Sequence, residues 1–296
     1  MSRNPLVSAE VLDRMRTGAT PPVILDATLV LHKPRFDGDF HAESGAPLWA
    51  EAHIPGSLHV EVDTELSIPD ATHDRHPPPQ ALADTLARLG IGARTQVVVY
   101  DSTGGLWAAR VWFLLRWIGV PVTVLDGGLS GWQESGLPVE RGPRAEPAPV
   151  PRWTAQTTHD AWIDKDELLH IQSATGNLVC GLSPASFSGS EPTRYSRRGH
   201  IPGSVNVPAR ALFDDEGFIG SEAEVAARYR DAGADLDGEL LLYCGGGISA
   251  TANALALSSI GIQHARVYDG SLEEWSADPA LPLTVEPSSS GTPTPR

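Results

Sequence analysis

Only two cysteines occur in the 296 residues, and one of them, Cys244, begins the loop of the run Tyr243–Ser249, YCGGGIS. There an apolar stretch gives way to a helical pattern. Three successive glycines let the backbone turn tightly and take positive φ. Their N–H groups can converge as an anion-binding nest at the N-terminus of a helix that begins near Ile248. Amide donors and the positive end of the helix both favour a thiolate over a thiol at such a position. Several chemistries use a cradle of this kind. A nucleotide-binding loop carries Lys and then Ser or Thr after its glycines, where Ile248 and Ser249 stand. A cysteine phosphatase needs an arginine about six residues past the nucleophile to take up phosphoryl charge, and Ala250 is there. A cysteine hydrolase needs a partnered histidine and an oxyanion hole. Sulfur transfer asks only for a thiolate that can become a persulfide and a cradle for that anion. Gly245, Gly246, Gly247, Ile248 and Ser249 are the candidate binding loop around Cys244.

A duplication reveals the elements that position this loop. AHIPGSLHV at Ala52–Val60 recurs as GHIPGSVNV at Gly199–Val207, 147 residues on. VVVYD ending at Asp101 recurs as LLLYC ending at Cys244, and VLDGGLSGW ending at Trp132 recurs as VYDGSLEEW ending at Trp275, both at an offset of 143. Order and spacing hold over three motifs, so the chain is one unit written twice. Within each unit, β-rich runs alternate with helical patterns. The expected fold is therefore α/β, with two tandem domains, each a mostly parallel sheet flanked by helices. Val23–Leu25, Gln96–Tyr100 and Val122–Leu125 read as strands of the first unit; Leu178–Val179, Leu240–Tyr243 and Arg266–Tyr268 read as strands of the second. Helices are expected over Gln80–Leu89, Leu106–Ile118, Glu222–Ala232 and Ile248–Ile260, and another opens at Asp164. The expected limits are residues 1–142 for the first domain, a proline-rich linker over 143–153, the second domain over 154–285 and a disordered tail over 286–296. Cys244 then lies at the carboxyl edge of a parallel sheet, where open α/β sheets hold their sites.

Composition narrows the function. The formal charge of −15 opposes nucleic-acid binding, which needs a basic face. The longest apolar candidate, residues 106–125, is broken by Arg110, Arg116, Gly119 and Pro121, so no membrane helix is expected. Two cysteines do not make a disulfide framework, and no CxxC or Cys/His cluster suggests zinc. A cytoplasmic protein with no metal and no cofactor is expected.

The paired HIPGS motifs, the LDGG…W and YDGS…W motifs and the YCGGGIS loop together resemble the tandem-domain rhodanese-type sulfurtransferases, over roughly residues 6–282. The resemblance implies one catalytic domain, the second, and a first domain whose loop has lost its cysteine; Asp101 in YDSTGG fits that loss. It implies that Cys244 takes the sulfane sulfur of thiosulfate or 3-mercaptopyruvate and passes it, as a persulfide, to cyanide, a thiol or a thioredoxin-like protein. A non-catalytic sulfur carrier or binding module working with a protein partner is the alternative.

The chain also departs from the family's patterns. Thiosulfate-preferring members usually have basic residues in the loop, and this loop has none. Mercaptopyruvate-preferring members usually have a hydroxyl residue where Gly246 stands, working with a histidine and an aspartate that fall on His76 and Asp63. Family members commonly carry Asp-x-Arg after the second domain's first strand, where Cys180 and Leu182 stand here, and a further basic residue where Ser188 stands. Donor binding or interdomain contact is therefore assigned to Arg194, Arg197, Arg198, Arg110, His76 and Asp63, with at least one guanidinium anchoring the donor. Cys180, at a strand end, is expected to be a small buried residue.

Overall fold

Short, mostly apolar runs make the strands, and the computed structural model describes residues 4–68, 75–143, 147–175 and 177–286. The first sheet has the order Leu6–Val7, Val122–Leu125, Val97–Tyr100, Val23–Asp26, Leu58–His59. The second has the order Trp162–Ile163, Ala265–Tyr268, Leu240–Tyr243, Leu178–Cys180, Val205–Asn206. Every pairing in both sheets is parallel, and the two orders correspond strand for strand. The central strands, Val97–Tyr100 and Leu240–Tyr243, are buried at every residue, as strands covered on both faces must be. A separate antiparallel hairpin pairs Leu29–Leu31 with Ala42–Ser44.

Each central strand turns through glycines into a long helix, Leu106–Trp117 in the first domain and Ile248–Ser259 in the second. Both are capped by a glycine in the left-handed region, Gly105 and Gly247. Both are apolar around most of their circumference, and a helix of that kind must be covered on all sides. They meet this demand by packing on one another, so one continuous core runs through both domains. Trp107, Trp112, Phe113 and Trp117 are buried there, each contributing roughly 2–3 kcal/mol. Trp132 and Trp275 fill equivalent places beneath the sheets, their indole N–H groups on the carbonyls of Pro138 and Pro282.

The expected strands and helices form to within a residue or two at their ends. The Asp164 carboxylate caps the helix Lys165–Thr175 through the Glu167 amide, at 2.8 Å. The edge strands and the hairpin have no counterpart in the sequence reading, because two- and three-residue pairings carry no periodicity. No described helix is long and apolar enough to cross a membrane. Residues 287–296 of the expected tail and residues 144–146 of the expected linker lie outside the described residues.

Candidate active site

Cys244 follows the last strand residue, Tyr243, and is 2% exposed. Its N–H donates to Ser271 Oγ at 3.0 Å, and that hydroxyl donates in turn to the Tyr268 carbonyl at 2.7 Å. The Cys244 and Gly245 carbonyls accept from Leu272 and Glu273 at 3.1 and 2.9 Å. The YDGS segment is thus the seat of Cys244. Ser271 has φ +47°, the only described non-glycine residue with positive φ; its counterpart 143 residues earlier is Gly128, at φ +53°. A serine held in a conformation that glycine adopts freely costs of order 1 kcal/mol, a strain that this hydroxyl bridge accounts for. Ser271→Gly is therefore expected to keep the backbone but lower kcat about tenfold or more with little change in KM, since it removes a positioning bond and no donor contact. A variant whose kcat matched the parent would show that the bridge does not position Cys244.

The first domain shows what the loop geometry holds. Asp101, the counterpart of Cys244, puts Oδ1 on the amides of Thr103 and Gly105 and Oδ2 on the amide of Ala108, all at 2.8 Å. An anion belonging to the chain itself fills that cradle. The amides at the same places in the second domain as Thr103 and Gly105 are those of Gly246 and Ile248, which bond no described residue. Ser249 sits in the helix's first turn, half-buried. A cleft of about 260 Å³ opens beside the Asp101 loop, bounded by Arg210 and Asp214–Gly217 of the second domain. It lies at the loop without the thiol.

Beneath the Cys244 loop the domains are locked by charge. Arg110, fully buried, donates to Asp269 Oδ1 at 2.6 Å, and its guanidinium lies 5.2 Å from the Trp162 ring. Asp269 Oδ2 accepts the His76 backbone N–H at 2.8 Å. A Cβ at Gly247 would lie 2.6 Å from Asp269 Oδ1 and 3.2 Å from Arg110 Nη1, so only glycine lets the loop approach this pair. The His76 ring stacks on Trp162 at 4.3 Å, with its Nε2 4.0 Å from Asp269. Burial pushes its pKa down, with the Asp269 charge opposing, so the ring is neutral at pH 7.

The other nominated residues fall out as follows. Arg197 is neither at the loop nor at the domain seam. Its guanidinium spends its donors on the carbonyls of Trp275, Ser276, Asp278 and Leu281, closing the end of the Ser271–Ala277 helix. A planar fork of donors suits clustered carbonyls as well as it suits a carboxylate. Arg194 and Arg198 are interdomain contacts: Arg194 Nη2 donates to the His32 carbonyl at 2.5 Å, and Arg198 pairs with Asp37 at 2.8 Å. Asp63 is half-buried, and no hydrogen bond or ion pair to a described residue ties it to the site. Cys180 is fully buried with Tyr243, Tyr195 and Phe187, in a different core layer from Cys244, and burial pushes its thiol up to about 12. Ser188 bonds back to Ala185 within its own short helix.

Three residues at the site had no role in the sequence reading: Asp269, Ser271 and Tyr195. A Cβ at Gly245 would lie 3.1 Å from Tyr195 Cε1 and 3.9 Å from Leu182 Cδ2, so these two side chains wall the loop. Leu182 thus stands beside the loop at the place where an arginine was sought. For Asp269 the signal was present, since Asp126 precedes it by 143 residues and accepts the Ile219 N–H at 3.0 Å from the opposite domain.

A model of the rhodanese-like domain matches residues 8–135 and 187–278. The chain is 34% identical to the putative thiosulfate sulfurtransferase SseB of Mycobacterium tuberculosis, over 94% of this chain and 96% of that protein. It is also 34% identical to human 3-mercaptopyruvate sulfurtransferase, over 90% of this chain and 89% of that one. The crystal structure of SseA from Escherichia coli, a 3-mercaptopyruvate sulfotransferase, superposes with a TM-score of 0.77 at 27% identity, covering 91% of this chain and 99% of that one. The chain belongs to the rhodanese-like family and is a sulfurtransferase built from two such domains in tandem.

Proposed function

We propose that Cys244 is the nucleophile and that the amides of Gly245, Gly246, Gly247, Ile248 and Ser249 cradle its persulfide. The observation behind this reading is the carboxylate of Asp101, held by three amides of the equivalent loop, with a thiol in its place in the second domain. With thiosulfate, the thiolate attacks the outer sulfur, the S–S bond breaks, and sulfite leaves with the electron pair. With 3-mercaptopyruvate, the C–S bond breaks, and the carbon takes the pair as an enolate that is then protonated to pyruvate. In either case cyanide or a thiol attacks the outer sulfur of the persulfide and regenerates the Cys244 thiolate. A thiol or a thioredoxin-like protein in the cytoplasm is the acceptor we favour, since both cysteines are free and a reducing compartment keeps them so. The working division is a first domain over 1–142, a linker over 143–153, a catalytic domain over 154–285 and a tail over 286–296.

Leu182 and Tyr195, both uncharged, wall the loop, and each arginine nominated as a donor anchor is engaged by the protein itself. A dianion gains least from such a site, and the charge of −15 disfavours it further. The expected result is a kcat/KM for 3-mercaptopyruvate about tenfold or more above that for thiosulfate, the worth of one missing charged hydrogen bond. Steady-state assays with both donors check this, together with mass spectrometry for an adduct of about 32 Da, one sulfur atom, on Cys244. A persulfide that forms without multiple turnover would instead favour a sulfur carrier.

A further inference from the structure

The hairpin Leu29–Leu31/Ala42–Ser44 brings together three side chains that sulfur transfer does not use. The His32 N–H donates to the His41 carbonyl at 3.0 Å, extending the ladder one pair beyond Leu31 and Ala42. His41 and Glu43, two apart on one strand, share a face, and His32 stands opposite His41. The imidazoles stack at 4.5 Å with an 18° interplanar angle. Glu43 Oε1 lies 3.1 Å from His32 Nε2 and 3.4 Å from His41 Nε2. All three ligand atoms fall within 4.8 Å of one another.

We propose that His32, His41 and Glu43 form a binding site for a first-row divalent cation, Zn²⁺ above all. Zinc holds nitrogen and carboxylate oxygen ligands at about 2.0–2.2 Å, which places tetrahedral ligand atoms about 3.3–3.5 Å apart. The two contacts to Glu43 are close to that spacing without rearrangement. His32 Nε2 is shielded from solvent and has no hydrogen-bond partner among the described residues, so its 3.1 Å approach to Glu43 is not a hydrogen bond. A cation between the two ring nitrogens and the carboxylate satisfies all three atoms. Two imidazole nitrogens and one carboxylate suit zinc rather than calcium or magnesium, and the exposure of His41 and Glu43 leaves a fourth position for water. No spacing motif announces the site, because the hairpin alone makes residues 32 and 41 neighbours. The His32 carbonyl also accepts Arg194 at 2.5 Å, and the next residue, Tyr195, walls the Cys244 loop. The bound ion would brace the hairpin end at the domain seam.

The test uses untagged full-length protein and Zn²⁺ alone, by calorimetric titration of the parent, Cys244→Ser, His41→Ala and Glu43→Gln. One equivalent should bind to the parent and to Cys244→Ser. Affinity should fall more than about tenfold in the other two variants, a loss that even outer-sphere changes cause at zinc sites. Zinc should raise the parent's Tm and leave that of His41→Ala unmoved, while His41→Ala keeps parental sulfur transfer, which shows that it folds. Co²⁺ should give a d–d spectrum without a thiolate charge-transfer band. The proposal is overturned if His41→Ala and Glu43→Gln bind as the parent does. It is equally overturned if binding is lost in Cys244→Ser, which would put the metal on the thiolate.

Discussion

Cys244→Ala should bring turnover of both donors down to the uncatalysed background, a loss of about 10³-fold or more, while the fold and Tm stay close to the parent's. No second thiol can substitute. Cys180 is the only other cysteine, fully buried in a separate core layer, and burial pushes its thiol up to about 12, so it is not a nucleophile at neutral pH. Removing one sulfur atom from a site 2% exposed leaves a small gap and no unpaired charge. The loop's backbone bonds to Ser271, Leu272 and Glu273 do not involve the side chain. Thiocyanate production from cyanide, with circular dichroism and thermal melting alongside, measures both halves of the expectation. Residual thiocyanate production by the alanine variant would exclude Cys244 as the sulfur carrier.

Asp269→Ala should have the largest effect on stability, about 3–5 kcal/mol, the typical cost of removing one member of a buried ion pair. Its partner, Arg110, is fully buried, comes from the other domain and sits 2.6 Å away, so the guanidinium would keep its desolvation cost and lose its closest counter-charge. The variant also takes away the acceptor of the His76 N–H and the carboxylate against which Gly247 packs. A lower urea midpoint and a lower kcat/KM should therefore appear together. Asp269→Asn, which keeps an acceptor oxygen, should lose less of both. An unfolding free energy within about 1 kcal/mol of the parent's would mean that the apolar helix pair alone holds the domains.

The sequence made the strong repeats legible and left the partners of long side chains open. YCGGGIS identified the nucleophile candidate because a glycine run at a strand-to-helix junction has few other uses. The 143-residue offset established two matching sheets before any contact was known. The arginines were different. Arg110, Arg194, Arg197 and Arg198 look alike in a sequence, yet they end on a carboxylate, a carbonyl, a cluster of carbonyls and a second carboxylate. A flexible side chain chooses its acceptor from whatever tertiary packing brings near, and no local pattern records that choice. Asp269 and Ser271 were visible as repeat residues, but their roles depend on bonds to Arg110 and Cys244, 159 and 27 residues away.

Two interdomain bonds from backbone amides to aspartates, His76 to Asp269 and Ile219 to Asp126, are the same contact made twice, since donors and acceptors both differ by 143 residues. Such a pair is the signature of an isologous dimer, in which identical subunits present identical patches to each other. In a dimer of separate chains, any substitution appears on both sides of the axis, and the two sites must change together. Fusion into one polypeptide lifts that restriction. Arg110 can reach across the seam while its counterpart, Asn253, bonds inward to Val207 and Tyr229, and Asp101 can trade sulfur for a carboxylate without disarming its twin. The fused pair keeps a dimer's mutual bracing and still lets its halves diverge, one loop carrying a thiol and the other a carboxylate.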